Sequence, residues 1–578
     1  MEKFGKYERQ RHASSRGNGC LLVLVNSFGS FWDHEIVDET VLRALEHFGA
    51  PYRVIDLSVK RPTADDFAGC AAIVLGQSRL GMFLKKEENK LIADAVAEGV
   101  GLVSFDSDIQ SYDKSYLEIF GFEDINPHPY ASDVVRVRTN AHYITEMQDE
   151  GEFHRFKRMT TAVAVEKWRS GVVPLAECLL GKEQLVYIRH IPPWSAFEPK
   201  NHPAVFAARW GKGRAVQFTL SPRIWRNEVY GHTGGLSDVF IRSIVWAARK
   251  PFALNRIPPF VTMSYDDCSG RHDFVYADIA SSYGFVPMPS LFLGNIPERL
   301  FPKIREGKVS GKIEYNTHAL DYYRHMYHDF GKGRYTDDKL REIFGFEDAW
   351  WKNVWCFPGV TVRAHLGEMG VNSLPFLKER GRVFLNPAAL QTGLLKAEMS
   401  TLDGLWPYGV NNCKYDYLPD DHDFFTFDAF WARFQEDFLT GCTVTLCESP
   451  FNNIDKASDN FAGQIKHGLR AGFFGEVITH EQKLDGMSLG EWESIVSRGL
   501  AKVKHIEKEF AGHDDIARYI RGKDGVHIEA CDISGGGMAA LLRGKTDVDL
   551  RLSVYTDVDE GCEKQYVTAG AFEGETRV

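Results

Sequence analysis

Val261-Thr-Met-Ser-Tyr-Asp266-Asp267-Cys-Ser-Gly270 is an apolar run that ends in two adjacent carboxylates. Its first half has the composition of a buried strand, predicted over residues 260–265. Two neighbouring carboxylates at the end of such a strand are costly to leave unpaired, and a β/α barrel keeps its chemistry at the C-terminal ends of its strands. The plain alternative is a solvated turn, since Asp-rich turns before glycine are common.

Outward from this stretch, residues 251–259 form a Pro-containing junction, and further strands are predicted at 286–293, 312–316, 354–357, 382–385, 443–447 and 476–479. Seven strands, mostly separated by helix-length stretches, describe a closed or nearly closed β/α barrel over 251–512. Its last helix opens with the capping box Ser488-Leu-Gly-Glu491, after which Leu489, Trp492, Ile495, Val496, Leu500 and Val503 follow at helical spacing.

Before the junction, short β-branched strands alternate with amphipathic helices: a strand from Cys20, a helix over 37–48, a strand from Tyr52, one from Ala71, a helix over 87–97 and a strand from Gly99. That alternation predicts an α/β domain with a doubly wound parallel sheet over 1–250, closing with two strands around Gly211-Lys-Gly213 and a helix over 236–248. After Gly512, alternating segments with Gly-rich turns predict a small antiparallel β appendage over 513–578. The hexapeptide Ile-Phe-Gly-Phe-Glu-Asp occurs at 119–124 and at 343–348, and is read as a helix end before glycine used twice.

Composition narrows the function classes. Apolar residues are 44% and charged residues 25% of 578, without a membrane-length apolar run, so a soluble multidomain protein is expected. A net charge of −11 without a long basic block gives no electrostatic footprint for nucleic acid or an anionic membrane. The ten cysteines form no CxxC pair, against a disulfide framework or a zinc ribbon. The charged N-terminus lacks the apolar core of a secretory signal, which makes the cytoplasm the expected compartment. Composition leaves the oligomeric state open.

Ser264-Tyr265-Asp266-Asp267 resembles the T-F/Y-D-D motif of the polysaccharide deacetylase (NodB-like) family, with Ser in place of Thr, and the similarity covers about 256–510. By that resemblance Asp266 is the catalytic base and Asp267 a metal ligand. Tyr315-Asn-Thr-His318 is similar to the start of the family's H-S/T-x-x-H metal motif, but the second His position holds Tyr322. His325 or His328 are the substitutes expected for it, with His325 preferred; otherwise they are surface-helix histidines. Gly475-Glu-Val-Ile-Thr-His480-Glu481 resembles the late motif, which makes His480 the acid that protonates the leaving group and Glu481 a residue that orients it or meets substrate. The middle motif's Arg is missing before Pro358-Gly359, leaving Arg363 and His365 as candidates for substrate contact or for assisting Asp266. Trp350, Trp351, Trp355 and Trp406 are candidates to wall the cleft or to pack the core.

The first domain is similar in element order to the class I glutamine-amidotransferase-like fold over about 18–250. An active member needs a nucleophilic Cys on a glycine-flanked elbow, and Leu102-Val-Ser-Phe-Asp106 places Ser104 there, so this domain is expected to be non-catalytic. Together the resemblances imply a hydrolase using a divalent metal, zinc first, that removes an N- or O-acetyl group from a sugar or glycan. Cobalt, nickel, manganese and iron share the ligand chemistry. A glycoside hydrolase on the same barrel would need a second carboxylate such as Glu448 or Glu481. A non-catalytic carbohydrate-binding or scaffold protein is the third reading.

Overall fold

The computed structural model describes residues 15–28, 37–126, 130–179, 201–226, 228–232, 234–249, 251–329, 334–365, 369–386, 415–417, 423–427, 453–558 and 561–578. The protein is a mixed α/β molecule in two compact units, residues 1–256 with 522–578 and residues 257–521. The C-terminal strands, read from sequence as a separate appendage, therefore group with the N-terminal unit.

The first unit is built on a nine-stranded sheet. Its strands are β1 (Leu21–Val25), β2 (Tyr52–Asp56), β3 (Ala72–Leu75), β4 (Gly101–Ser104), β5 (Tyr130–Val137), β6 (Phe153–Ala162), β7 (Val173–Cys178), β8 (His202–Trp210) and β9 (Gly213–Phe218), in the order β2-β1-β3-β4-β9-β8-β7-β5-β6. Leu21, Val23 and Val25 enter one apolar core while Leu22 and Leu24 enter another, so β1 is buried on both faces. That is why these strands are apolar throughout instead of alternating. From β2 to β9 the pairing is parallel. From β9 onward it is antiparallel: the β8–β9 pair lies where two strands were expected around Gly211-Lys-Gly213, and β7, β5 and β6 extend the sheet beyond it. The β8–β9 hairpin turns at Gly211 (φ +56°), where a Cβ would lie 2.3 Å from the Ala97 carbonyl oxygen.

The C-terminal strands are antiparallel as expected: Val526–Ser534, Gly537–Thr546 and Phe572–Arg577 form one sheet. Leu550–Val558 pairs with Gly561–Ala569 and with Phe252–Leu254. The described cysteines are free thiols. No described helix is long and apolar enough to cross a membrane.

The second unit holds β10 (Phe260–Cys268), β11 (Pro287–Phe292), β12 (Asn316–Ala319), β13 (Thr361–Val362), β14 (Phe384–Leu385) and β15 (Gly475–His480). β12, β11, β10 and β15 form one parallel arc in that order. β13 and β14 belong to another, whose next strand is Phe425–Phe427. The strand expected at 312–316 lies later, at Asn316–Ala319. The one expected at 354–357 is not a strand. Helix Asp337–Val354 runs into that segment, burying Leu340, Ile343, Phe344, Glu347, Trp350, Trp351 and Val354 at helical spacing, and Trp355 (φ +62°) ends it. β13 follows in its place. The second copy of the repeated hexapeptide lies inside this helix, so only the first copy meets a glycine turn, Gly121 at φ +62°. The strand expected at 443–447 lies outside the described residues.

Candidate metal centre

β10 is buried along almost its whole length, and Tyr265 anchors it by donating to the Tyr276 carbonyl (3.2 Å) and packing against the Tyr276 ring. Its pairing with β11 is irregular between Tyr265 and Cys268, and Asp267 sits at φ +59°. A bulge of this kind re-aims side chains at a strand end, and here it turns Asp266 and Asp267, which a regular strand would point to opposite faces, toward one cluster of charged groups. A non-glycine residue held in left-handed backbone is costly and is over-represented at functional sites.

Asp267, His318 and His365 come together, all buried. Asp267 Oδ1 lies 3.3 Å from His318 Nε2 and 3.0 Å from His365 Nδ1, and the two nitrogens are 3.1 Å apart. Ligand atoms about 2.0–2.2 Å from a tetrahedral ion stand roughly 3.3–3.6 Å from one another, so this triangle fits a metal with a few tenths of an ångström of expansion. His318 Nδ1 donates to the Arg363 carbonyl (2.9 Å), which leaves Nε2, on the Asp267 side, as the nitrogen that would meet a metal. Asp267 Oδ2 is taken by the Gln482 amide (2.7 Å), leaving Oδ1 to the histidines. Burial opposes the Asp267 charge, but hydrogen bonds and charge from His318 and His365 hold its carboxyl well below the usual range. His318 is pushed up because Asp267 and Asp266 outweigh its burial, whereas His365 is pushed down, first by burial and then by its imidazole neighbours. The group could hold a metal ion.

His365 thus replaces His325 as the third member of the cluster. His325 is buried, its backbone bridges to Ala319, and its ring stacks edge-on against His365 at 4.7 Å without joining the triad. His328 is also buried, and neither residue lies on a helix. Tyr322, at the position of the motif's second His, is half exposed with its ring 5.5 Å from His365.

Asp266 accepts from Arg363 Nε (2.6 Å) and Nη2 (3.2 Å), while Arg363 Nη1 reaches Glu476 Oε1 (2.9 Å). Glu476 also accepts from Ser264 (2.8 Å) and lies 3.1 Å from His513 Nε2. Burial disfavours the charge on Asp266, but Arg363, His318 and His480 outweigh it and hold the carboxyl below its ordinary value. Asp266 is therefore a carboxylate at neutral pH. His480 pairs in register with Asp266 on the neighbouring strand, with Nε2 4.0 Å from Asp267 Oδ2 and its side chain one-fifth exposed. Arg363 thus contacts Asp266, the carboxylate it was expected to assist or to join in meeting substrate.

Glu481 does not face this cluster. Its carboxylate accepts from the backbone of Ser269, Gly270 (3.1 Å) and Arg271 (2.9 Å) and from Tyr276 Oη (2.7 Å), so it fastens the loop after β10 instead of orienting His480 or meeting substrate. Burial raises its pKa against those donors. Trp350 and Trp351 are core residues, Trp351 donating to Thr317 (2.9 Å), and Trp355 is exposed. Trp406 and Glu448 lie outside the described residues. Sequence reasoning missed Glu476 and Gln482 altogether. It also missed the ligand role of His365, which lies three residues beyond β13, a strand that the sequence reading did not expect there.

No family model matches the chain, and no curated protein matches it. Among solved structures, a proposed polysaccharide deacetylase from Mycobacterium smegmatis is similar at 16% identity and a TM-score of 0.30, over 46% of this chain and 91% of that one. Gan42B, a GH42 β-galactosidase from G. stearothermophilus, is similar at 14% identity and a TM-score of 0.25, over 41% of this chain and 33% of that one. A β-galactosidase from Bacillus circulans sp. alkalophilus is similar at 13% identity and a TM-score of 0.25, over 40% and 31%. The chain spans about a third of the length of these β-galactosidases. Likenesses at that level carry no argument about the reaction, which rests on the residues above.

Proposed function

We propose that this protein is a metal-dependent hydrolase that removes an acetyl group, N- or O-linked, from a sugar or glycan. The observation that carries the reading is the buried Asp267–His318–His365 triangle beside a separate carboxylate, Asp266, and a partly exposed imidazole, His480. When bound, a divalent ion, zinc first, would supply Lewis acidity and lower the pKa of a water there. Asp266 is held ionised and oriented by the Arg363 fork, which suits it to take the proton of the attacking water. His480, on the neighbouring strand, gives a proton to the departing amine or alkoxide. Arg363, tied to Glu476, keeps Asp266 from turning into the metal cluster. Glycoside hydrolysis, the alternative chemistry for such a barrel, loses one of its two candidate second carboxylates because Glu481 is committed to backbone amides. In this reading 257–521 is the catalytic unit, its two arcs closing as a seven-stranded barrel, and the sheet of the other unit is a non-catalytic amidotransferase-like module.

The test is acetate release from acetylated amino sugars and xylans by zinc-loaded protein. Asp266→Asn is expected to lower turnover by roughly 10²–10⁴-fold while retaining metal, the range for a positioned proton-transfer group. His480→Ala is expected to cost far more on sugar substrates than on aryl acetates, whose leaving group needs little protonation. No acetate release from any acetylated glycan by metal-replete protein would refute the reading.

A further inference from the structure

The unit formed by residues 1–256 and 522–578 contains a second cluster of charge, unrelated to the metal triangle. Arg214 and Arg249 are both buried, at 9% and 2% exposure, and share a single carboxylate. Asp557 accepts from Arg214 Nη1 (3.1 Å) and Nη2 (2.5 Å), and its Oδ1 lies 2.6 Å from Arg249 Nε. Arg214 also donates to the Trp246 carbonyl (3.0 Å), so its fork is used. Arg249 Nη1 is buried and has no hydrogen-bond partner among the described residues. Among the described residues, two guanidiniums against one carboxylate leave about one buried positive charge uncompensated, an arrangement that is costly unless something neutralises it.

Arg249 also lines a cavity of about 280 Å³, with His142, Tyr143, Arg209 and Trp246 among its other walls. The guanidiniums of Arg242 (3.9 Å) and Arg249 (4.6 Å) both lie over the Tyr143 ring, and the rings of His142 and Trp246 meet edge to face at 5.0 Å. Glu146, which pairs with Arg242, is about half exposed. His142 Nδ1 accepts from the Ile144 backbone N–H (3.2 Å), so a neutral ring carries its proton on Nε2 as a further donor. We propose that this cavity binds a small oxyanion, carried by a sugar acid or a sugar phosphate, with Arg249 and Arg209 meeting the charge. The field in the cavity agrees with this use. Burial, followed by Arg249, Arg209, Arg242 and Arg214, pushes the His142 pKa down to about 4, as a site with surplus positive charge requires. A structural role for the arginines at the end of helix Ser237–Ala248 explains Arg214, but not the second guanidinium or the cavity beside it.

The experiment is titration calorimetry of the full chain with glucuronate, glucose 6-phosphate and neutral glucose at pH 7. Saturable binding of at least one anion, with none of glucose, is expected. Binding of both means the site reads charge alone, and binding of one names the source of the oxyanion. Arg209→Ala, at an exposed position, is expected to weaken binding by about tenfold or more, the value of one charge-assisted contact, and Arg249→Gln by more. His365→Ala, which alters only the metal cluster, should bind as wild type does, so that anion capture by a metal is told apart. No heat from either anion at ten times millimolar concentration, roughly the level that would nearly saturate a millimolar site, overturns the proposal. So does equal binding by wild type, Arg209→Ala and a folded Arg249→Gln, with folding checked by thermal unfolding.

Discussion

Replacing Arg363 with Met keeps a long side chain while removing three charge-assisted hydrogen bonds. Arg363 is 2% exposed, and its partners Asp266 and Glu476 have side chains 13% and 1% exposed. Without the guanidinium, two buried carboxylates face each other, and breaking a buried pair by removing one partner costs about 3–5 kcal/mol. The same unit supplies a control. Arg299 lies 2.6 Å from Asp273, the same distance as Arg363 Nε from Asp266, but both of its side chains are more than half exposed, so Arg299→Met is expected to cost no more than about 1 kcal/mol. Urea unfolding of metal-free protein at pH 7 measures both. Adding Glu476→Gln to Arg363→Met is expected to recover part of the loss, because it removes one orphaned charge. Equal costs for Arg363→Met and Arg299→Met would refute the claim that the carboxylate pair is held by a buried cation.

Two further outcomes are expected. Gln482→Ala frees Asp267 Oδ2 and should weaken metal binding about 10–100-fold by competition with a chelator, as loss of a residue that orients a ligand does; unchanged affinity would count against its role. Glu314 is pushed up to about 8 by burial and then by Asp514, against the amides of His513 and Asp514, so the folded state favours its protonated form. Its stabilising contribution is present below the ordinary carboxyl pKa and is lost as pH rises through about 8, so Glu314→Gln should flatten the fall of stability between those limits. A wild-type profile that rises over that window would contradict it.

The parallel half of the N-terminal sheet and the strands around Asp266 were legible because two-sided burial makes such strands uniformly apolar. The outer antiparallel strands of that sheet were not, because Tyr130–Val137 and Phe153–Ala162 alternate buried and exposed residues with charges that sequence alone does not separate from loop. Around Trp355 a short apolar run at a helix end looked like a strand, since four residues carry no period. Ile-Phe-Gly-Phe-Glu-Asp takes two conformations because tertiary context, not local propensity, decides whether its glycine ends a helix. At the site, Asp266, Asp267, His318 and His480 were legible from their positions at strand ends. His365 as a ligand was not, because it lies 47 residues from His318 and follows β13, a strand of a different arc from the one that ends at His318. Glu481 misled for a related reason: adjacency to His480 in sequence says nothing about which way a carboxylate turns once its strand gives way to a helix.

Metal stoichiometry tests the central claim most directly. Protein stripped with chelator, reloaded with zinc and analysed by elemental analysis is expected to hold one ion per chain. His365→Ala and Asp267→Ala should each abolish stoichiometric loading, while His325→Ala, which changes a ring packed against the cluster, should retain it. Full loading of His365→Ala, or loss of loading in His325→Ala alone, would contradict the assignment of Asp267, His318 and His365 as the metal centre.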